Sequence, residues 1–359
     1  MKKVLVVSGI PYSYTNRGID TITSYFIEKK YQVTHLVFPI NKLKKKRINR
    51  EIKQENFKQL WSKSSYFSFL GIMGKFLPDF LLSFVIKLNI RLKNINFDDF
   101  DLVILEAGPS LFLLKELTSR NKVILRISDV EEICFGNNRK IFSNFMKSGI
   151  ERSDLVLVPN ELLISKYGNL KKIKCWKNGF LTLNKSIDKI IVSEKIVTYF
   201  GLAKIDYKLI KFLALSNLNI KFIIIGPYKD KIKLKNVFFT GYLNNEQILE
   251  FIRKSKCFLM PYSSSIFKSS FTASLTSKCY PVMNLGIPIL TIKYGQVQND
   301  DKKLNLFTFT TYQEANSKLN VIINKTFNKT KQIEYFLEDL KYENRILELE
   351  ELLKENNIL

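Results

Sequence analysis

The chain has 359 residues, which suits two domains better than one. Apolar residues make up 46% and charged residues 25%, which excludes a disordered chain and allows a core of ordinary size. Lys and Arg number 57 against 33 Asp and Glu, and the net charge of +24 favours nucleic acid, acidic lipid or phosphate-bearing small molecules as partners.

Val4–Ser8 is an apolar run ending in Gly9-Ile10-Pro11, the pattern of a buried parallel strand entering a loop. A helix is expected over Ile19–Lys30 and a second strand over Val33–Phe38. Asn41–Lys93 breaks this rhythm. It opens with a basic run from Lys42 to Lys53, becomes aromatic and apolar, and reads as helical inserts. Strands return at Leu102–Glu106, Val123–Ile127, Leu155–Pro159 and Ile173–Trp176. Thr182–Ser193 reads as a linker. The rhythm then restarts with strands at Ile196–Phe200, Ile220–Ile225, Val237–Thr240, Lys256–Met260 and Ile287–Ile292. Helices are expected over Asn244–Lys254 and Lys268–Met283, and from Asn328 onward. Alternating helices and buried-type strands predict two α/β domains, each a doubly wound, Rossmann-like parallel sheet. The expected boundaries are 1–180, 194–330 and a C-terminal helix over 331–359.

Four dispersed cysteines, without a C-x-x-C pair, argue against a disulfide framework or a zinc site. His35 is the single histidine, which excludes a Ser-His-Asp or Cys-His engine unless it serves one. The N-terminus lacks a signal-peptide pattern, and no apolar stretch is long enough to span a bilayer. There is neither a G-x-G-x-x-G nor a P-loop pattern, which disfavours a dinucleotide oxidoreductase and a P-loop enzyme.

In the second half, Tyr199-Phe200-Gly201-Leu202 precedes Ile225-Gly226-Pro227. Thr240-Gly241-Tyr242-Leu243 follows, then Met260-Pro261-Tyr262-Ser263, Lys278 and Gly286-Ile287-Pro288. In this order and spacing the series resembles the nucleotide-sugar-binding half of GT-B glycosyltransferases. The resemblance implies two domains facing across a cleft and a UDP-linked sugar donor. It assigns Gly201, Leu202, Gly226, Tyr262, Ser263 and Lys278 to that donor, with Gly241, Tyr242 and Leu243 at the base. Glycines after strands let backbone N–H groups approach a diphosphate, and a helix beginning after Lys268 would add its dipole. An ordinary solvated lysine is the plainer reading of Lys278. Pro281 stands where the family often has Glu or Gln.

Retaining members of that family usually carry two glutamates seven residues apart near the Gly-x-Pro strand, and Phe271–Pro281 contains no acid, so the resemblance implies an inverting mechanism with a base on the acceptor side. Leu125-Arg126-Ile127-Ser128-Asp129 resembles the segment carrying the base in membrane-associated glucuronosyltransferases of bacterial exopolysaccharide synthesis. The resemblance makes Asp129 the base and UDP-glucuronate a candidate donor. A turn acid is the alternative for Asp129, and Glu106, Glu131 and Glu132 are rivals. Gly9, Glu106 and Arg126 are expected on the acceptor side, where an ion pair is an equal reading of Arg126. Asp99-Phe100-Asp101 precedes a strand, so it is read as a turn, and neither a metal nor a redox cofactor is expected.

The basic and aromatic stretch over Lys42–Leu92 fits a membrane surface, although inserted helices covering the first core would look similar. The expected protein is a cytoplasmic, metal-independent inverting glycosyltransferase, peripheral at the inner face of the plasma membrane. Its partners are a nucleotide sugar and a lipid-linked glycan for capsule, exopolysaccharide or wall polymer. A retaining hexosyltransferase of the same fold is the alternative. A nucleic-acid-binding protein is a third reading, disfavoured because basic residues are dispersed and no recognition motif is present.

Overall fold

Continuous apolar runs such as Val4–Val7 and Phe222–Ile225 form the inner strands of two parallel sheets. A computed structural model describes residues 2–12, 17–38, 55–61, 78, 81, 95–128, 139–168, 170–180, 195–201, 203–263 and 274–359. The chain divides into two compact units, 1–179 with 343–359, and 180–342.

The first unit holds β1 (Lys3–Ser8), α1 (Gly18–Glu28), β2 (Gln32–Val37), β3 (Phe57–Trp61), β4 (Leu102–Glu106) and β5 (Lys122–Arg126). It continues with α2 (Arg139–Arg152), β6 (Leu155–Val158), α3 (Glu161–Tyr167) and β7 (Ile173–Cys175). Its seven-stranded sheet has the order β3-β2-β1-β4-β5-β6-β7. The strand order reverses between β1 and β4, and ligands of such sheets bind beyond the carboxyl ends at that point. Inside the stretch expected to be helical, Phe57–Trp61 instead pairs in parallel with β2. It is an edge strand broken by Lys58 and Gln59, so it lacks the unbroken apolar run of an inner strand. The rest of the Lys42–Leu92 stretch, apart from isolated positions, lies outside the described residues.

The second unit holds β8 (Ile196–Phe200), α4 (Tyr207–Ser216), β9 (Lys221–Ile225), β10 (Val237–Gly241), α5 (Asn245–Arg253) and β11 (Cys257–Met260). α6 (Cys279–Asn284), β12 (Ile289–Ile292), β13 (Leu306–Phe309), α7 (Tyr312–Ile323) and α8 (Lys331–Glu338) follow. The six-stranded order is β10-β9-β8-β11-β12-β13, reversing between β8 and β11. Two caps fix helix starts here: Asp206 accepts the N–H groups of Lys208 and Leu209, and Asn244 with Gln247 forms a capping box. Residues 227–236 cross from β9 to β10 without a helix, with Ile232 buried beneath. The helix expected over Lys268–Met283 is helical only from Cys279 among the described residues. The preceding Ser274-Leu275-Thr276-Ser277 is rich in hydroxyls that compete with helix hydrogen bonds.

The C-terminal helix α9 (Tyr342–Glu355) returns to the first unit. Leu349 and Leu353 bury against Val4, Val6 and Trp176, each contributing about 1.5–3 kcal/mol. The Trp176 indole donates to the Arg345 carbonyl at 3.0 Å. Among the described residues no helix is long and apolar enough to cross a membrane.

His35 is a core residue of β2, with Nε2 3.2 Å from the Ile10 carbonyl. Burial, helped by the Arg17 charge, pushes its pKa down from 6.5 to about 3. The unfolded chain therefore takes up a proton that the folded chain refuses, and stability falls as pH drops from about 6.5 toward 3. Urea unfolding at pH 6.5 and 4.5 is expected to show a greater loss in wild type than in His35→Gln, by up to about 2 kcal/mol. Equal losses would contradict a neutral buried His35.

Candidate functional site

In the second unit, β8 and β9 both end in glycines with positive φ, Gly201 at +156° and Gly226 at +142°. A Cβ on Gly226 would lie 2.3 Å from the Gly201 carbonyl oxygen, so the two turns pack backbone on backbone. The Gly201 N–H donates to Ile225 at 3.2 Å, and the Gly226 N–H donates to Gly241 at 2.8 Å. These bonds align the carboxyl ends of β8, β9 and β10. The loop after β8 is also tied to the loop after β11. Ile205 pairs with Tyr262, and the Ser263 N–H donates to the Lys204 carbonyl at 3.1 Å. The bound ends of β8 and β11 flank the point where strand order reverses.

Lys278 reaches this place from the start of α6. A Cβ on Gly201 would lie 2.8 Å from its Nζ and 2.7 Å from the Tyr199 hydroxyl. The ammonium stands 4.7 Å from the Tyr199 ring centre and 4.6 Å from that of Tyr262, within cation–π range. It also donates to Tyr199 Oη at 3.4 Å. Among the described residues no carboxylate pairs with it. Desolvation lowers its pKa from 10.5 to about 8, while the neighbouring Cys279 opposes the shift. Half-buried cations without a counter-charge are favoured at anion sites.

The structure thus brings Gly201, Gly226, Tyr262 and Lys278 together, with Gly241 bonded alongside. Tyr262 is buried, and its part is a ring wall under the ammonium. Tyr242 is exposed at 48%, open to stack on a ligand. Leu243 is partly buried, packed against the cluster of Ile196, Ile223 and Ile225. Leu202, Lys268 and Ser269 lie outside the described residues. The N–H groups of Cys279 and Tyr280 are bonded to Thr276 and Ser277, and Pro281 has none. Sequence reasoning missed Tyr199 and Tyr228. The signal was a tyrosine before a strand-ending glycine and another two residues after the next one.

In the first unit, Glu106 ends β4 half-buried. Its carboxylate accepts from Ser8 Oγ and, at 3.1 Å, from Ser128 Oγ. Gly9 is exposed beside them, its Cβ position 3.8 Å from the Phe38 carbonyl. These groups gather at the carboxyl ends of β1, β4 and β5. Arg126 is wholly buried over the Trp176 ring and donates to the Ile127 and Leu157 carbonyls and, at 2.6 Å, to Asn178. Those contacts brace the sheet. Asp129, Glu131 and Glu132 lie outside the described residues. Asp101 sits at the amino-terminal ends of the strands, accepting the Lys3 N–H at 2.8 Å. Among the described residues no cluster of His, Cys, Asp and Glu is arranged to hold a metal ion.

No protein-family model matches this sequence, and no curated protein does. Solved structures do. S. aureus TarM in complex with fondaparinux, alpha-GlcNAc-glycerol and UDP is 13% identical at a TM-score of 0.63, with 98% of this chain and 99% of that one covered. The trehalose-6-phosphate synthase OtsA is 9% identical at 0.66, with 100% and 99% covered. The lipopolysaccharide outer core galactosyltransferase WaaB is 12% identical at 0.56, with 99% of each covered. The fold is GT-B. The paired glycine turns occupy the switch point of its second unit. Gly226→Ala is expected to cost about 2–4 kcal/mol in urea unfolding, because the new Cβ meets backbone. Gly201→Ala meets only side-chain tips and should cost less. Equal, small losses would contradict backbone-on-backbone packing.

Proposed function

We propose that the chain is an inverting glycosyltransferase whose second unit binds a UDP-sugar. The observation that carries this is the Lys278 ammonium, held at the switch point beside Gly201 without a carboxylate partner among the described residues. A diphosphate supplies the missing charge, and Lys278 stabilises the negative charge that builds as it leaves. Gly241, Tyr242 and the Leu243 backbone are assigned to the base. UDP is bound in the TarM complex of similar fold.

On the acceptor side, Asp129 is assigned as general base, immediately after Ser128. It takes the acceptor hydroxyl proton, the oxygen bonds to the anomeric carbon, and the bond to the diphosphate breaks with its electron pair going to UDP. Gly9 and Glu106 line the acceptor side, and Arg126 supports the strand ends there. The basic stretch beginning at Lys42 is assigned to anionic lipid at the inner face of the plasma membrane, with a lipid-linked glycan as acceptor. UDP-glucuronate is the first donor to test, with capsule or exopolysaccharide synthesis as the setting. A retaining reaction is the second reading, since a trehalose-6-phosphate synthase of similar fold transfers with retention. The anomeric configuration of the product decides between them.

UDP at about 100 times its Kd is expected to stabilise the protein by about 2.7 kcal/mol. Lys278 binds as the ammonium, so affinity should fall as pH rises above about 8, approaching tenfold per unit. Lys278→Met should abolish that dependence and weaken UDP binding about tenfold or more. Its ligand-free Tm should equal or exceed wild type, because the lysine's lowered pKa makes its charge oppose folding, in full below about 8 and less as pH rises toward 10.5. Unchanged UDP affinity in Lys278→Met would contradict the assignment. Asp129→Asn should abolish transfer and leave UDP affinity intact. Persistent transfer there, with loss in Glu106→Gln, would move the base to Glu106.

A further inference from the structure

The Lys278 ammonium can only donate hydrogen bonds, and a backbone carbonyl can only accept them. Two phenols lie between such ends. Tyr199 Oη is 3.4 Å from Lys278 Nζ and 3.3 Å from Tyr228 Oη. Tyr228 Oη in turn has one proton to share between the carbonyls of Gly201 at 2.9 Å and Ala203 at 2.8 Å. Each phenol has one proton, so the order is fixed. Tyr228 gives its proton to the glycine turn and accepts from Tyr199, and Tyr199 accepts from Lys278.

We propose that Tyr199 and Tyr228 are positioning residues: a one-way hydrogen-bond chain through both phenols ties the Lys278 ammonium to the Gly201 and Ala203 carbonyls. The role it gives Lys278 toward a ligand rests on the nucleotide-site assignment above. Both phenol lone pairs face the cation and both protons face away, so the chain favours the charged lysine. It also links the turn that would receive a diphosphate to the charge that would meet it. Core packing alone would be served equally by phenylalanine at both positions, and it leaves the hydroxyl order unexplained.

The other titratable groups around the ammonium, among the described residues, stay fixed near neutral pH. Burial raises the phenols of Tyr199, Tyr262 and Tyr294 well above their ordinary range and that of Tyr228 to about 12. The Cys279 thiol, next to Lys278 on α6, is pushed up to about 11. A transition near pH 8 therefore belongs to Lys278.

The test is lysine-selective 13Cε NMR on the ligand-free full chain, with the Lys278 signal assigned by its loss in Lys278→Arg. Tyr199→Phe and Tyr228→Phe keep both rings, so the fold and the cation–π contacts persist. The wild-type midpoint is expected near 8. Tyr199→Phe should lower it by about half a unit to one unit, as a charge-bound acceptor is lost. Tyr228→Phe should lower it less, in the same direction. UDP affinity at pH 7.5 should fall about 1.5- to 3-fold in Tyr199→Phe, the loss shrinking toward pH 6.5. Midpoints equal to wild type in both variants would overturn the chain, even if Tm had dropped. Shifted midpoints in a protein that does not bind UDP would uphold the chain and overturn the nucleotide assignment alone.

Discussion

Lys278 carries a charge into a setting where no described carboxylate answers it. Removing an ammonium from water without a counter-ion is unfavourable. Ring faces and a phenol oxygen offset only part of that cost. A carboxylate there would complete an ion pair and leave nothing for an anion to meet. Stability withheld in the ligand-free protein becomes available when an anionic ligand arrives. The arrangement works only if the cation is held still, and its surroundings do that. The Tyr199 and Tyr262 rings flank it, and the Gly201 turn closes over it with no room for a side chain.

The sheet explains why these groups meet. Gly201 follows the strand on one side of the order reversal, and Tyr262 follows the strand on the other. Gly226 packs on the Gly201 carbonyl, so the β8 and β9 turns meet backbone on backbone. The first unit repeats the strand order, and there the corresponding ends gather Ser8, Glu106 and Ser128. Two sheets of the same winding thus present different chemistry at equivalent places, a half-buried cation in one and a hydroxyl-bonded carboxylate in the other.

The inner strands were legible because parallel strands buried on both faces read as unbroken apolar runs, as at Ile104–Leu105 and Phe222–Ile225. β3 was not, because an edge strand tolerates Lys58 and Gln59 and carries little pattern. The helix expected over Lys268–Met283 fails at Ser274–Lys278, where two serines and a threonine compete with helix hydrogen bonds. Gly201, Gly226 and Lys278 were legible through their order along the chain. Tyr199 and Tyr228 were not, since their pairing depends on two loops meeting from positions 29 residues apart. Tyr262 was legible as a position, and its ring lies buried beside the ammonium.

The most direct measurement is a crystal structure of the full chain with UDP. The account predicts diphosphate oxygens within hydrogen-bond distance of Lys278 Nζ and the uracil beside Gly241 and Tyr242. UDP bound elsewhere, or a diphosphate held without Lys278, would contradict it.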